Sequence, residues 1–161
     1  METGLFEWGP DDIYWETMQV KIKRNKNNAR MPERGSDAAA GYDVFACLDW
    51  ELQIPPHQTI KIDTGLSMEI PSGYWAGVFA RSGLATKEGL RPANCVGVID
   101  SDYRGPIIVA LHNDSEETRT IVPGEKIGQL IILPCFDWRI QEVEELSETQ
   151  RGSGGFGSTG K

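Results

Sequence analysis

Apolar and polar residues alternate along much of this chain. Ile60, Ile62, Leu66, Met68 and Ile70 are interleaved with Lys61, Asp63, Ser67 and Glu69. A period of two over the eleven residues 60–70 predicts one strand with a single buried face. Met18, Val20 and Ile22 alternate with Gln19, Lys21 and Lys23 in the same way, and Tyr42 to Leu52 is rich in β-formers with a looser pattern. Ile107 to Leu111 and Ile127 to Leu133 are short apolar runs, which predicts strands buried on both faces. Proline and glycine punctuate these segments at Ile54-Pro55-Pro56, Ile70-Pro71-Ser72-Gly73 and Val122-Pro123-Gly124. Short strands at close spacing predict an all-β sandwich or barrel.

Two segments depart from that pattern. Residues 82–89 combine Ser82 as a capping residue, helix formers and a terminal Gly89, which predicts a two-turn helix. Residues 151–161 hold five of the 18 glycines and are read as a free tail.

The chain has 161 residues and a formal charge of −8, a length suited to one domain. Its acids are unevenly placed: residues 1–16 hold five and no base, and residues 141–150 hold four more. The body between them is close to neutral, so a small anion is acceptable locally, while the long basic face expected of a polymer-binding protein is missing. No direct nucleic-acid polymer binding is expected. No stretch approaches the ~18 apolar residues of a membrane span, so no membrane contact is expected. An acidic start is the opposite of a basic export signal, and the expected location is cytoplasmic, or nuclear in a eukaryote. Phe6, Trp8, Tyr14 and Trp15 make residues 1–17 too aromatic for a simple solvated arm. That extension is expected to pack on its own body, a neighbour or a partner.

Cys47, Cys95 and Cys135 form no C-x-x-C pair, and His57 and His112 are 55 positions apart. A zinc site or thioredoxin-type motif therefore has no material. The thiols are expected to be buried and reduced, and His57, after two prolines, to be solvated. Hydrolytic chemistry is left to carboxylates and a hard metal.

Three places offer such chemistry. Arg81 precedes the predicted helix; with Ser82 and Gly83 it describes a phosphate cradle of unpaired N–H groups, hydroxyl and guanidinium. Residues 97–105 read as a β-hairpin with an acidic turn, placing Asp100 at the end of an apolar strand, partly desolvated, with the flat ring of Tyr103 beside it. The tail satisfies G-x-x-x-x-G-K at 155–161 but lacks the Ser or Thr, strand and helix of a P-loop. What it does offer is Arg151 and Phe156 among glycines, able to close over a phosphorylated, ring-bearing ligand. Each has an ordinary alternative: a surface arginine beside an N-cap, a turn collecting Asp, Ser and Gly, and a plain disordered terminus.

Five segments in order resemble the five motifs of the homotrimeric dUTP diphosphatases (dUTPases): Ala40-Gly41-Tyr42-Asp43, Arg81-Ser82-Gly83, the 97–105 hairpin, Gly124-Glu125-Lys126-Ile127-Gly128-Gln129, and 151–160. The resemblance spans residues 18–161. It implies a distorted jelly roll with a β domain over 18–150, an arm over 151–161, and an extension over 1–17 outside the family pattern. It also implies a homotrimer with active sites at subunit interfaces and hydrolysis of dUTP to dUMP and pyrophosphate with Mg²⁺. That reaction limits uracil incorporation into DNA and supplies dUMP for thymidylate synthesis. Carried over residue by residue, Asp100 resembles the general base acting on water, and Tyr103 the ring under deoxyribose. Asn94 resembles a uracil-binding residue. Arg81, Ser82, Gly83 and Gln129 resemble the phosphate-side contacts, Ser82 and Gln129 also counting with Asp100 as catalytic. Arg151 and Phe156 resemble the tail residues that reach the γ-phosphate and cover uracil, with Gly157 and Ser158 beside them. Asp43 resembles the carboxylate that reaches the metal through water. Many relatives have arginine where Lys126 stands, and an ammonium cannot supply a bidentate contact.

Base choice would fall to the hairpin backbone. With Val98 and Ile108 facing each other across its arms, and Ile99 beside Val98, the main chain would pair with uracil as a neighbouring strand does. Cytosine would leave buried groups unpaired, which discriminates by up to ~10⁴–10⁵. A dCTP deaminase of the same fold, bifunctional or not, and a trimeric regulatory or capsid-like protein without turnover are the competing readings. The first lacks this Asp-Ser-Asp-Tyr-Arg-Gly hairpin and glycine-rich tail, and against the second every residue given a chemical role is present, including Asp100.

Overall fold

A computed structural model describes residues 19–155. Within them the chain is all-β with one short helix, as the alternation predicts. The largest sheet has five antiparallel strands in the order β2 (Glu33–Arg34), β3 (Tyr42–Phe45), β12 (Lys126–Pro134), β7 (Tyr74–Phe79), β9 (Gly97–Ile99). A second sheet orders β5 (Thr59–Asp63), β10 (Ile108–Asn113) and β8 (Leu90–Pro92). Two ribbons complete the body: β1 (Lys21–Arg24) with β6 (Leu66–Glu69), and β4 (Leu52–Ile54) with β11 (Arg119–Ile121). Ile54, Ile62, Leu66, Leu90, Leu111, Ile121 and Ile127 are fully buried and join these sheets into one core. Asn113, equally buried, donates to the Ile54 and Glu117 carbonyls and accepts from Ser115, so its polarity is matched.

The predicted strand over 60–70 is two strands. Its apolar period survives, but the chain turns at Thr64-Gly65 and passes from the β5 sheet to the β1–β6 ribbon. Gly65 has φ +70°, and a Cβ there would lie 2.7 Å from Cys47 Sγ and 2.8 Å from Ala29 Cβ. Its N–H donates to the Asp63 carboxylate at 2.7 Å. Alternation reports which face is buried; it does not report a corner that keeps the same face inward.

The runs expected to be buried on both faces are also one-sided in part. In β10, Val109, Leu111 and Asn113 are buried while Ile108 is 46% exposed. β12 is buried at Ile127, Gly128 and Leu130 and half-buried beyond. The predicted two-turn helix is a single five-residue π-type segment, Leu84–Glu88, with Gly83 at its start and no side-chain cap. Ser82 does not cap it; the Ser82 carbonyl instead accepts from Thr86 Oγ1 at 2.7 Å. Of the thiols only Cys47 is buried; Cys95 and Cys135 are exposed. His57 is exposed as expected, with Nε2 3.2 Å from a Glu116 oxygen. No described helix is long and apolar enough to cross a membrane.

Candidate active site

The first group of site residues gathers around β12. A register shift between Lys126 and Gly128 sets Gln129 opposite Asp43 on one side and Phe79 on the other. Asp43, with its side chain only 15% exposed, then receives Arg81 Nε at 3.1 Å on one oxygen and Lys126 Nζ at 2.6 Å on the other. Arg81 Nη1 also donates to the Lys126 carbonyl at 3.4 Å, and Gln129 Nε2 to the Ala80 carbonyl at 3.1 Å. Gly41 makes this approach possible, because a Cβ there would sit 2.9 Å from the Leu130 carbonyl oxygen and from Ile131 Cγ1. Three segments far apart in sequence thus form one cationic corner on a shared carboxylate. Ser82 and Gly83 stand exposed at its edge. A Cβ on Gly83 would meet nothing within 4 Å, so neither packing nor backbone strain demands glycine there.

The second group is the acidic turn. It is not a hairpin. β9 pairs only with β7, and β10 pairs with β5 and β8, so the two arms leave the turn for different sheets. The turn is closed by Tyr103 N–H donating to the Asp100 carbonyl at 3.1 Å, and by Arg104 Nη1 donating to the Ser101 and Tyr103 carbonyls. Asp100 is exposed in the single chain, not partly desolvated as expected. Tyr103 is 44% exposed, and its hydroxyl donates to the Pro106 carbonyl at 3.1 Å. Val98 and Ile108, 62% and 46% exposed, flank the opening where the arms diverge. Asn94 is exposed at the start of the Asn94-Cys95-Val96 loop, and a Cβ on Gly97 would lie 3.5 Å from its Nδ2.

The two groups do not meet within one chain. β9 runs antiparallel to β7 with Ala76 opposite Ile99 and Val78 opposite Gly97. Asp100 therefore stands level with Trp75, at the far end of β7 from Arg81, on the order of 15–20 Å away at strand rise. Arg151 Nε donates to the Gly154 carbonyl of its own turn at 3.0 Å, and among the described residues no hydrogen bond joins its side chain to either group. Phe156, Gly157 and Ser158, and the extension over residues 1–17, lie outside the described residues. Thr64, Ser67 and Asn25, which hold the exit of the acidic turn, went unrecognised in the sequence because they sit at ordinary strand and turn positions.

Comparison with known proteins gives this arrangement its context. The dUTPase family model matches residues 27–160. A deoxyuridine 5'-triphosphate nucleotidohydrolase of Desulfitobacterium hafniense is 49% identical over 147 residues, covering 89% of this chain and 97% of the relative. Another, from Hydrogenobaculum sp., is 42% identical over 143 residues, covering 89% and 99%. Among solved structures, a Staphylococcus bacteriophage 80alpha dUTPase mutant with dUpNHpp superposes with a TM-score of 0.81 at 30% identity, covering 89% of this chain and 99% of that one. Sheets, turn and cationic corner define a jelly-roll protein of the dUTPase type. The chain belongs to the dUTPase family.

Proposed function

We propose that this chain hydrolyses dUTP to dUMP and pyrophosphate, at sites each assembled from more than one copy of the chain in a homotrimer. The observation that carries the activity is the open fork at 97–108: an exposed carboxylate and a fixed aromatic ring stand between two strand arms bonded to other sheets. A flat base with donors and acceptors along one edge fits between such arms. Asp100 takes a proton from water as the water oxygen bonds to the α-phosphorus. The bond from that phosphorus to the bridging oxygen breaks, and the bridging oxygen leaves with pyrophosphate. A carboxylate base in this role contributes about 10²–10⁴-fold. Arg81, Ser82, Gly83 and Gln129 face the phosphates, where fixed positive charge and N–H groups stabilise the developing charge.

The shared site follows from separation. Asp100 and Arg81 lie too far apart in one chain to touch one triphosphate's reacting end together, so the corner of one subunit must serve the fork of another. Exposed Phe136, Trp138 and Ile140, alternating after β12, also need a neighbour to cover them. Residues 151–161 act as the arm that closes the site, with Arg151 toward the γ-phosphate and Phe156 over uracil; Asn94 supports the base.

Among the described residues no three His, Cys, Asp or Glu side chains form a metal cage. Both oxygens of Asp43 are engaged by Arg81 and Lys126, so this residue fits Mg²⁺ only through water. An ion held chiefly by phosphate oxygens and water suits that donor set. When bound it neutralises triphosphate charge.

Pyrophosphate release from dUTP, set against dCTP, tests the activity; ammonia from dCTP would mark a deaminase instead. Mixing Asp100→Asn subunits with Arg81→Ala subunits tests the shared site, because mixed trimers would regain sites holding both native residues. Mixtures as inactive as either parent would rule out sharing.

A further inference from the structure

Three consecutive carbonyls beyond the acidic turn are each held by a side-chain hydroxyl. Ser67 Oγ donates to Gly105 O at 2.9 Å, Tyr103 Oη to Pro106 O at 3.1 Å, and Thr64 Oγ1 to Ile107 O at 2.8 Å. Ile107 N–H donates in turn to the Leu66 carbonyl at 2.8 Å. Thr64 and Ser67 are 1% and 8% exposed, and both come from the β5–β6 corner. The amide of Asn25 donates to Ser67 Oγ at 2.8 Å, which leaves the single Ser67 proton for the Gly105 carbonyl. β9 and β10 do not pair with each other, so these hydroxyls, together with the main-chain bonds Thr64 N–H to Ile107 O and Ile107 N–H to Leu66 O, do the work that ladder bonds do in a hairpin. They hold the strip 105–107 while the fork stays open.

The Tyr103 ring rests on that strip. A Cβ on Gly105 would collide with the Tyr103 hydroxyl and lie 2.6 Å from its Cζ, so ring and Gly105 backbone are in direct apposition. The ring is therefore supported from beneath by Gly105, which Ser67 holds, and tethered at its tip to Pro106.

We propose that Thr64 and Ser67 are positioning residues that set the choice between deoxyribose and ribose by making the Tyr103 ring unable to recoil. This rests on the reading of Tyr103 as the ring under the sugar. A site that excludes one added hydroxyl by lack of space discriminates only as well as its wall is stiff, since a wall that yields by part of an ångström admits the larger sugar. Removing the Ser67 hydroxyl frees the Gly105 carbonyl, and removing that of Thr64 leaves the Ile107 carbonyl only the longer bond from the Thr64 main-chain N–H at 3.1 Å. Either loosens the strip, lets the ring tilt, and relieves ribose more than deoxyribose.

The test is the ratio of kcat/KM for dUTP to that for UTP, with melting temperature followed in parallel. Ser67→Ala is expected to lower the ratio by about fivefold or more, the effect of one lost hydrogen bond, and Thr64→Val to lower it by a smaller factor, because the Thr64 N–H still holds the Ile107 carbonyl. Thr64→Ser, which keeps the hydroxyl, is expected to retain it, and Asn25→Ala to lower it less. If Thr64→Val does not fold, Ser67→Ala and Asn25→Ala decide. An unchanged ratio, or equal losses on both nucleotides, would overturn the assignment. A wild-type chain that releases no pyrophosphate from dUTP would instead overturn the activity on which it rests.

Discussion

Arg81 Nε donates to Asp43 Oδ1 at 3.1 Å, joining the end of β7 to the middle of β3 across 38 positions of sequence. Lys126 holds the other Asp43 oxygen, so one carboxylate sets the direction of two cations. Asp43→Asn keeps the shape and removes the charge. We expect a loss of about 1–2 kcal/mol in stability, between the values for exposed and buried pairs, and a fall of roughly tenfold or more in kcat/KM for dUTP as Arg81 loses its aim. Denaturant unfolding and steady-state kinetics measure both.

Asp100 is exposed at the end of β9 and bears no packing load. Asp100→Asn should leave the melting temperature and nucleotide binding intact while turnover falls about 10²-fold or more. Calorimetry with a non-hydrolysable dUTP analogue, beside a pyrophosphate assay, separates the two. Wild-type kcat in this variant would remove Asp100 from the role of base.

The tail turn at Arg151 is bonded to itself: Gly152 N–H to the Thr149 carbonyl at 3.1 Å, and Arg151 Nε to Gly154 O at 3.0 Å. Deleting residues 151–161 should therefore leave thermal unfolding unchanged and remove most kcat/KM. Full activity in the truncated chain would show that closure is not its role.

Gly65 combines φ +70° with side chains under 3 Å from any added Cβ. Gly65→Ala should destabilise by about 1–3 kcal/mol, because the neighbours Cys47 and Ala29 are themselves buried and cannot retreat. Chemical denaturation checks the magnitude.

The hydrogen bond from Arg91, with Nε 2.6 Å and Nη2 3.0 Å from the carboxylate, holds Asp114 below the usual aspartate range. A carboxylate depressed on folding adds stability above its unfolded pKa of about 3.9 and loses it as pH falls through the lower folded value. The melting-temperature gap between wild type and Asp114→Asn should thus be constant near neutral pH and close only below about pH 4. A gap that closed on raising the pH would contradict this assignment.

The alternation of Ile60, Ile62, Leu66, Met68 and Ile70 was enough to say which side of the chain is buried, because burial acts on side chains one by one. It could not show the corner at Thr64-Gly65, where a positive φ turns the chain without changing the buried face. Asp, Ser, Tyr and Gly at 100–105 announced a turn, and the motif order announced the family. That the turn's arms part to separate sheets is decided by pairing with β7 and β5, strands that local sequence does not specify.

What the sequence determined by itself is the all-β class, the inward face of each strand and the inventory of chemical groups, since these follow from residue type and period. Only the tertiary structure decided that Asp43 is held between Arg81 and Lys126, that Thr64 and Ser67 grip the strip under Tyr103, and that Arg81 and Asp100 lie at opposite ends of β7. Those relationships depend on register between distant strands, which is set when the whole core closes, and no local segment carries that information.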